Sequence, residues 1–185
     1  MGPPMRRPPP ERHVHGSLLT RLDARDRALL ARWTIDRTTA GRSAWIALTH
    51  LGGAWCTIGA AAVPLLAGGA LRRAAVRALV ALIVSHGLVQ LLKRNVIRAR
   101  PPCRLDSDPP IAIPDAFSFP SGHATAAMSV AFIYAVAFPA AAPPLLMLAA
   151  AIGFSRVILG VHYPGDVLAG QLIALVTDVV VLSVR

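Results

Sequence analysis

The order of apolar and polar positions divides this chain into one amphipathic stretch followed by a series of long apolar ones. From Ser43 to Leu71, and again from Ala116 to Ser155, there is no Asp, Glu, Lys or Arg. Uncharged apolar runs of about 18 residues or more are long enough to cross the ~30 Å hydrocarbon layer as helices. Divided at their prolines and glycines, the apolar stretches predict spans at about 44–67, 73–95, 122–138, 144–159 and 165–184. Pro64 and the Gly68-Gly69 pair punctuate the end of the first. Pro139, Pro143 and Pro144 end the third, because proline interrupts the helical hydrogen-bond ladder. Residues 17–37, SLLTRLDARDRALLARWTIDR, follow another pattern. Leu18, Leu19, Leu22, Leu29, Leu30 and Trp33 recur near helical spacing, with Arg21, Arg25, Arg27 and Arg32 between them. That predicts an amphipathic helix lying in the membrane interface. The fold class is therefore all-α: a multi-pass transmembrane helix bundle over 44–184, with about five spanning helices plus the N-terminal interfacial helix. Residues 17–185 form one membrane-embedded domain. The first 16 residues, MGPPMRRPPPERHVHG, are rich in Pro and Arg and lack a signal-peptide apolar region, which predicts a disordered tail.

Composition agrees with the pattern. Of 185 residues 55% are hydrophobic and 15% charged, against roughly 25% charged in soluble domains. The net charge of +10 raises nucleic acid as a partner, but aromatics make up 5% and no basic stripe carries them. Arginines flanking membrane helices and facing anionic headgroups account for the charge, and no nucleic-acid partner is expected. Cys56 lies within an apolar run, where packing explains it. Cys103 lies in a loop. Two distant cysteines make no metal or redox motif, and neither a metal nor a cofactor is expected.

Alternation of five spans places the ends of the second and fourth, and the starts of the third and fifth, on one face. Four segments meet there: Lys93–Pro101, Pro120–His123, Ser155–His162 and Pro164–Asp166. Nearly every unusual polar residue of the apolar part falls in them. Cations at membrane depth cost roughly 2.5–3.5 kcal/mol each, so Lys93, Arg94, Arg98, Arg100 and Arg104 must reach water or a partner. Arg94, Arg98 and Arg104 read as snorkelling anchors. Lys93 and Arg100, seven residues apart, would share one side of a helix at roughly 10 Å rise and could close on one anion. Ser121 stands at an N-cap position with Gly122 and His123 in the first turn, where free N–H groups form an anion site. Read alone, PSGH fits an ordinary helix cap equally well. Arg156, His162 and Asp166 form a third group, in which a carboxylate near an imidazole fixes its tautomer. Two histidines among cations suggest phosphoryl transfer through a phosphohistidine. His162 would attack phosphorus, Asp166 would orient it and His123 would protonate the leaving oxygen. Lys93, Arg100, Ser121, Gly122 and Arg156 would hold the phosphate.

KRNVIRARP, PSGH and SRVILGVHYPGD, at 93–166, closely resemble the three signature blocks of the type 2 phosphatidic acid phosphatase superfamily. Those are a Lys-x6-Arg-Pro, a Pro-Ser-Gly-His and a Ser-Arg-x5-His-x3-Asp block. The resemblance implies a metal-independent membrane phosphatase acting on a lipid phosphate or diphosphate, such as undecaprenyl diphosphate, phosphatidylglycerophosphate or phosphatidic acid. It implies catalytic roles for His162, His123 and Asp166. It also implies an integral protein of a bacterial cytoplasmic membrane with the active face outward. The positive-inside rule points the other way, since the chain through Arg42 carries nine arginines on that same face. Two other readings stand beside hydrolysis: transfer of the phosphoryl group to an acceptor alcohol, and a non-catalytic protein that binds anionic lipid. The oligomeric state is left open. Two more expectations concern the spans. Asp178 would pair with Arg77 or Arg73 at similar depth, because an intramembrane carboxylate takes a partner. His86, seven residues before Lys93, would be a core histidine or line the lipid pocket.

Overall fold

In a computed structural model, residues 18–35, 40–101 and 117–184 are described, the side chains of 18–22 excepted. The tail 1–16, Cys103, Arg104 and the acidic residues Asp106, Asp108 and Asp115 lie outside the described residues. Helices run Leu18–Trp33 (α1), Arg42–Leu51 (α2), Ala54–Ala62 (α3), Gly69–Asn95 (α4), Gly122–Ala137 (α5), Ala142–Ile158 (α6) and Pro164–Ser183 (α7). Among the described residues no strand forms beyond one isolated bridge between Ala99 and Phe117.

Helix α5 is the axis of the bundle and packs against α3, α4, α6 and α7. Its sequence explains that position. Ala124, Thr125, Ala126, Ala127, Ser129, Ala131 and Ala135 are all buried, and small side chains let helix backbones approach closely where no water drives association. The outer faces of α4 and α7 are apolar instead, with Ile83, Leu168, Leu172, Val176 and Val180 more than half exposed. Such surfaces suit hydrocarbon rather than water. By length and composition α4, α7 and the Pro139–Ile158 stretch that includes α6 can each cross a bilayer. The chain is a membrane protein on those grounds.

The first predicted span is not one straight helix. α2 and α3 meet at a 47° bend, located at Gly52-Gly53, and a 3-10 turn over Val63–Leu66 takes in Pro64. At Gly52 a Cβ would stand 2.5 Å from Ile152 Cγ2 and 3.2 Å from the His123 carbonyl. The glycine pair therefore lets the chain bend directly over the start of α5. Pro143 and Pro144 fall in the first turn of α6, where their missing N–H groups cost nothing. Cys56 faces outward from α3, not into the packing.

Three expectations are corrected. Lys93 and Arg100 do not share a helix: α4 ends at Asn95, and the chain leaves Val96 in an extended conformation. Pro101 disfavours the helical region for the residue before it, and Ser118 N–H binds the Arg98 carbonyl at 2.9 Å instead. Asp178 pairs with neither Arg77 nor Arg73. Its Oδ1 accepts from Ser129 Oγ at 2.8 Å, because it faces α5, whereas both arginines lie on the exposed side of α4. His86 is also on that exposed side, 3.1 Å from Gln90 Nε2, and is not a core histidine.

Candidate active site

The ends of α4 and α6 and the starts of α5 and α7 come together at one end of the bundle. Local sequence builds each part. After α6, Gly160 adopts φ +69, and Val161 N–H and Gly160 N–H return to the carbonyls of Arg156 and Val157 at 3.1 and 2.9 Å. This left-handed glycine termination turns the chain sharply and delivers His162 into the interior, 2% exposed. Pro164 then opens α7, and Asp166 in its first turn accepts the Tyr163 N–H at 2.9 Å through Oδ2. Ser121 N–H binds the Asp166 carbonyl at 3.0 Å, which ties the start of α5 to the start of α7.

His162 is flanked on both ring nitrogens. Arg100 Nη1 stands 3.1 Å from Nε2 and donates to the Val161 carbonyl at the same distance. A guanidinium only donates, so Nε2 carries the lone pair and the proton sits on Nδ1. Nδ1 faces Asp166 Oδ2 at 3.6 Å, just beyond hydrogen-bond range, and is a buried polar atom without a hydrogen bond. Burial pushes the His162 imidazole down to about 4. Asp166 opposes that shift, and the charges of Arg156 and Arg100 reinforce it. The ring is thus neutral with its Nε2 lone pair aimed at cations.

Arg156 is 1% exposed and donates from Nη1 to Thr49 Oγ1 at 2.8 Å. Lys93 is buried in the last turn of α4. Ser121 occupies the N-cap position of α5, but its hydroxyl makes no cap bond. It is fully buried with no hydrogen-bond partner. A Cβ on Gly122 would meet nothing within 4 Å, so the backbone there is open to an approaching group. His123 lies beside the Gly52-Gly53 bend, its Nε2 3.8 Å from where a Gly53 Cβ would be. The guanidinium charges of Arg156 and Arg100 act on it.

Arg98 corrects the snorkelling assignment. Its Nη1 binds Asp166 Oδ1 at 2.6 Å, and its Nη2 binds Asp23 Oδ1 and Asp26 Oδ2 at 2.8 Å each. Its guanidinium lies 4.1 Å from the centre of the Tyr163 ring. Burial works against its charge, and the three carboxylates raise its pKa above the ordinary value. Helix α1 accordingly turns Asp23, Asp26 and Leu30 toward the bundle, packing on α6 and α7. Burial pushes the Asp23 carboxyl up, but Arg98 and Arg27 outweigh it and hold it below its usual range. Thr49, His50, Arg98, Asp23 and Asp26 were not singled out as site residues in the sequence. One signal was available: Asp23 and Asp26 are acids at i, i+3 spacing in an arginine-rich helix, which puts both on one face.

Residues 74–185 match the PAP2 superfamily. Over 131 residues the chain is 37% identical to the decaprenylphosphoryl-5-phosphoribose phosphatase of Mycolicibacterium smegmatis, covering 67% of this chain and 68% of that protein. It is 40% identical over 93 residues to the lipid A 1-phosphatase of Rhizobium johnstonii, 48% of this chain and 38% of that one. The structure resembles the transmembrane PAP2-type phosphatidylglycerolphosphate phosphatase of Bacillus subtilis. The TM-score is 0.68 at 24% identity, over 91% of this chain and 87% of that one, a likeness of fold.

Proposed function

Because the chain belongs to the PAP2 superfamily, we propose that it is a membrane hydrolase removing phosphate from a lipid phosphate or diphosphate through a phosphohistidine. The observation that carries this reading is the state of His162: neutral, with its Nε2 lone pair turned to the Arg100 side of the site and Nδ1 directed at Asp166. Nε2 forms the bond to phosphorus as the ester P–O bond breaks. His123 gives its proton to the leaving oxygen, and Asp166 stabilises the imidazolium character that develops. Water then attacks the phosphorus and gives a proton to His123, the P–N bond breaks and inorganic phosphate leaves. Arg100, which stands 3.1 Å from Nε2, shifts to the phosphate oxygens together with Arg156, Lys93, the Ser121 hydroxyl and the Gly122 N–H. The cationic side chains of Lys93, Arg100 and Arg156 carry the electrostatic work on the phosphate.

The substrate is a lipid whose phosphate sits at the bilayer edge, in the class of the polyprenyl-phosphate sugar and lipid A phosphates named for the relatives. Undecaprenyl diphosphate, phosphatidylglycerophosphate and phosphatidic acid complete the panel to assay. Residues 17–185 would act as one unit with five crossings: the bent α2–α3 pair, α4, α5, α6 and α7. At 16 residues α5 is only about 24 Å long, but its central position shields it from lipid. The catalytic end would face outward from a bacterial cytoplasmic membrane, which labelling of Cys103 by an impermeant thiol reagent on intact cells tests. The enzymatic reading is tested by phosphate release from the lipid panel by detergent-purified protein. Loss of release in both His123→Ala and His162→Ala is expected. Full turnover by His162→Ala overturns the phosphohistidine.

A further inference from the structure

Helix α1 lies outside the segments that carry the proposed chemistry, yet its acids reach into the site. We infer that Arg98, Asp26 and Asp23 are positioning residues for the reaction. Through them α1 holds Asp166, and so sets the orientation of His162. This rests on the phosphohistidine reading above.

A buried carboxylate is costly unless it is both paired and hydrogen-bonded. Asp166 is 0% exposed, and Oδ2 takes the Tyr163 N–H. The charge that compensates it is Arg98 on Oδ1. Arg98 in turn sits on an extended segment, where a long side chain has many rotamers to lose. Three contacts fix it: Asp23 and Asp26 on Nη2, and the Tyr163 ring beneath the guanidinium plane. Asp26 does a second thing. Its Oδ1 accepts the Gly165 N–H at 2.7 Å, an N–H of the first turn of α7, the turn that carries Asp166. One carboxylate of α1 thus grips both the guanidinium that holds Asp166 and the backbone beside it.

The far end of α1 is fastened to the other side of the His162 turn. Ile35 N–H binds the Ile158 carbonyl at 3.1 Å, and Thr34 Oγ1 approaches the Val157 carbonyl at 3.5 Å. Thr34 also packs on Gly160, where a Cβ would meet its Cγ2 at 3.1 Å. α1 and the two residues that follow it therefore clamp the His162–Asp166 turn from both sides, and none of them is among the residues proposed to hold the phosphate. The chain Asp26–Arg98–Asp166–His162 determines how far the Nδ1–H is from its acceptor. The Nδ1–Oδ2 separation, 3.6 Å, must close as the ring becomes positively charged.

The test uses the purified full chain with phosphatidic acid in mixed micelles. Asp26→Asn keeps an acceptor for the Gly165 N–H but removes a charge from Arg98. Arg98→Lys keeps the charge but loses the fork that bridges several carboxylates. Arg98→Gln loses both. A misplaced catalytic group can cost about 100-fold. Arg98→Gln is therefore expected to lower kcat by that order, Arg98→Lys to recover part of it, and Asp26→Asn to lower it roughly tenfold. KM and inhibition by inorganic phosphate should stay within about threefold in all three, and rapid-quench labelling should show slower formation of the phosphoenzyme. A rise in KM with kcat unchanged would make these residues part of phosphate binding and overturn the inference, as would wild-type kcat in Asp26→Asn and Arg98→Gln. Those outcomes with His162→Ala inactive sink this inference alone. Activity of His162→Ala sinks the phosphohistidine reading beneath it.

Discussion

Gly170 offers the sharpest structural test of the site. It lies on α7 where that helix crosses the start of α5, and it is buried. A Cβ placed there would stand 2.6 Å from the Ser121 carbonyl oxygen and 2.7 Å from Thr125 Oγ1. Ordinary van der Waals contact begins near 3.4 Å, so Gly170→Ala must move backbone by about 0.8 Å in the absence of a flexible side chain to yield. Overpacking of this kind costs about 1–3 kcal/mol of stability. The displaced atoms belong to the turn that carries Ser121, Gly122 and His123. A shift near 1 Å in a catalytic group costs about 100-fold in rate, and Gly170→Ala is expected to lose roughly 30- to 100-fold in kcat/KM. The assay is phosphate release by detergent-purified protein beside its thermal unfolding midpoint. Gly59→Ala and Gly87→Ala are the controls, since nothing lies within 4 Å of a Cβ at either position. Both should keep full activity and gain up to about 1 kcal/mol from helix propensity. Wild-type activity in Gly170→Ala would show that the start of α5 does not position the chemistry, and would refute the reasoning.

Three further outcomes are expected. Thr49→Val removes the acceptor for the buried Arg156 guanidinium, a charged hydrogen bond worth about 1.5–3 kcal/mol. Inhibition by inorganic phosphate should weaken roughly tenfold or more, with recovery in Thr49→Ser; unchanged inhibition in Thr49→Val counts against the contact. Ser121→Ala deletes a buried hydroxyl that has no hydrogen-bond partner among the described residues, so the unfolding midpoint should hold or rise while phosphate inhibition weakens about fivefold; a lowered midpoint contradicts this. In histidine-labelled protein, the His162 ring, assigned by its loss in His162→Ala, should stay neutral between pH 6.5 and about 4, where an ordinary imidazole takes up a proton. Burial disfavours the charged form, so the midpoint lies below the usual one, and a titration centred at 6.5 or higher refutes that environment.

What could be read in the sequence and what could not divide along a physical line. Helix ends are written locally: the 3.6-residue period, Pro164 at the start of α7 and the prolines around α6 place them within a few residues. The gathering of the site at one end also follows from local information, because helices joined by short connections run antiparallel and leave few places for their ends. The Gly52-Gly53 bend escaped because a glycine pair inside an apolar run leaves its hydropathy that of a continuous span. The partner of Asp178 escaped for a related reason. Depth along a helix was read from residue counts, but a partner is fixed by azimuth as well, and Ser129 on α5 lay on the facing side. Arg98 shows the limit most clearly. A snorkelling arginine and one that organises a buried carboxylate have the same letter and the same flanking residues. Its partners lie 68 to 75 residues away, and only docking of α1 on the bundle end brings Asp23 and Asp26 to it. The amphipathic pattern of α1 had one explanation in lipid and another in the bundle. Two acids on one face of an arginine-rich helix favour the second, since acids turned toward anionic headgroups would be repelled, whereas a waiting guanidinium holds them.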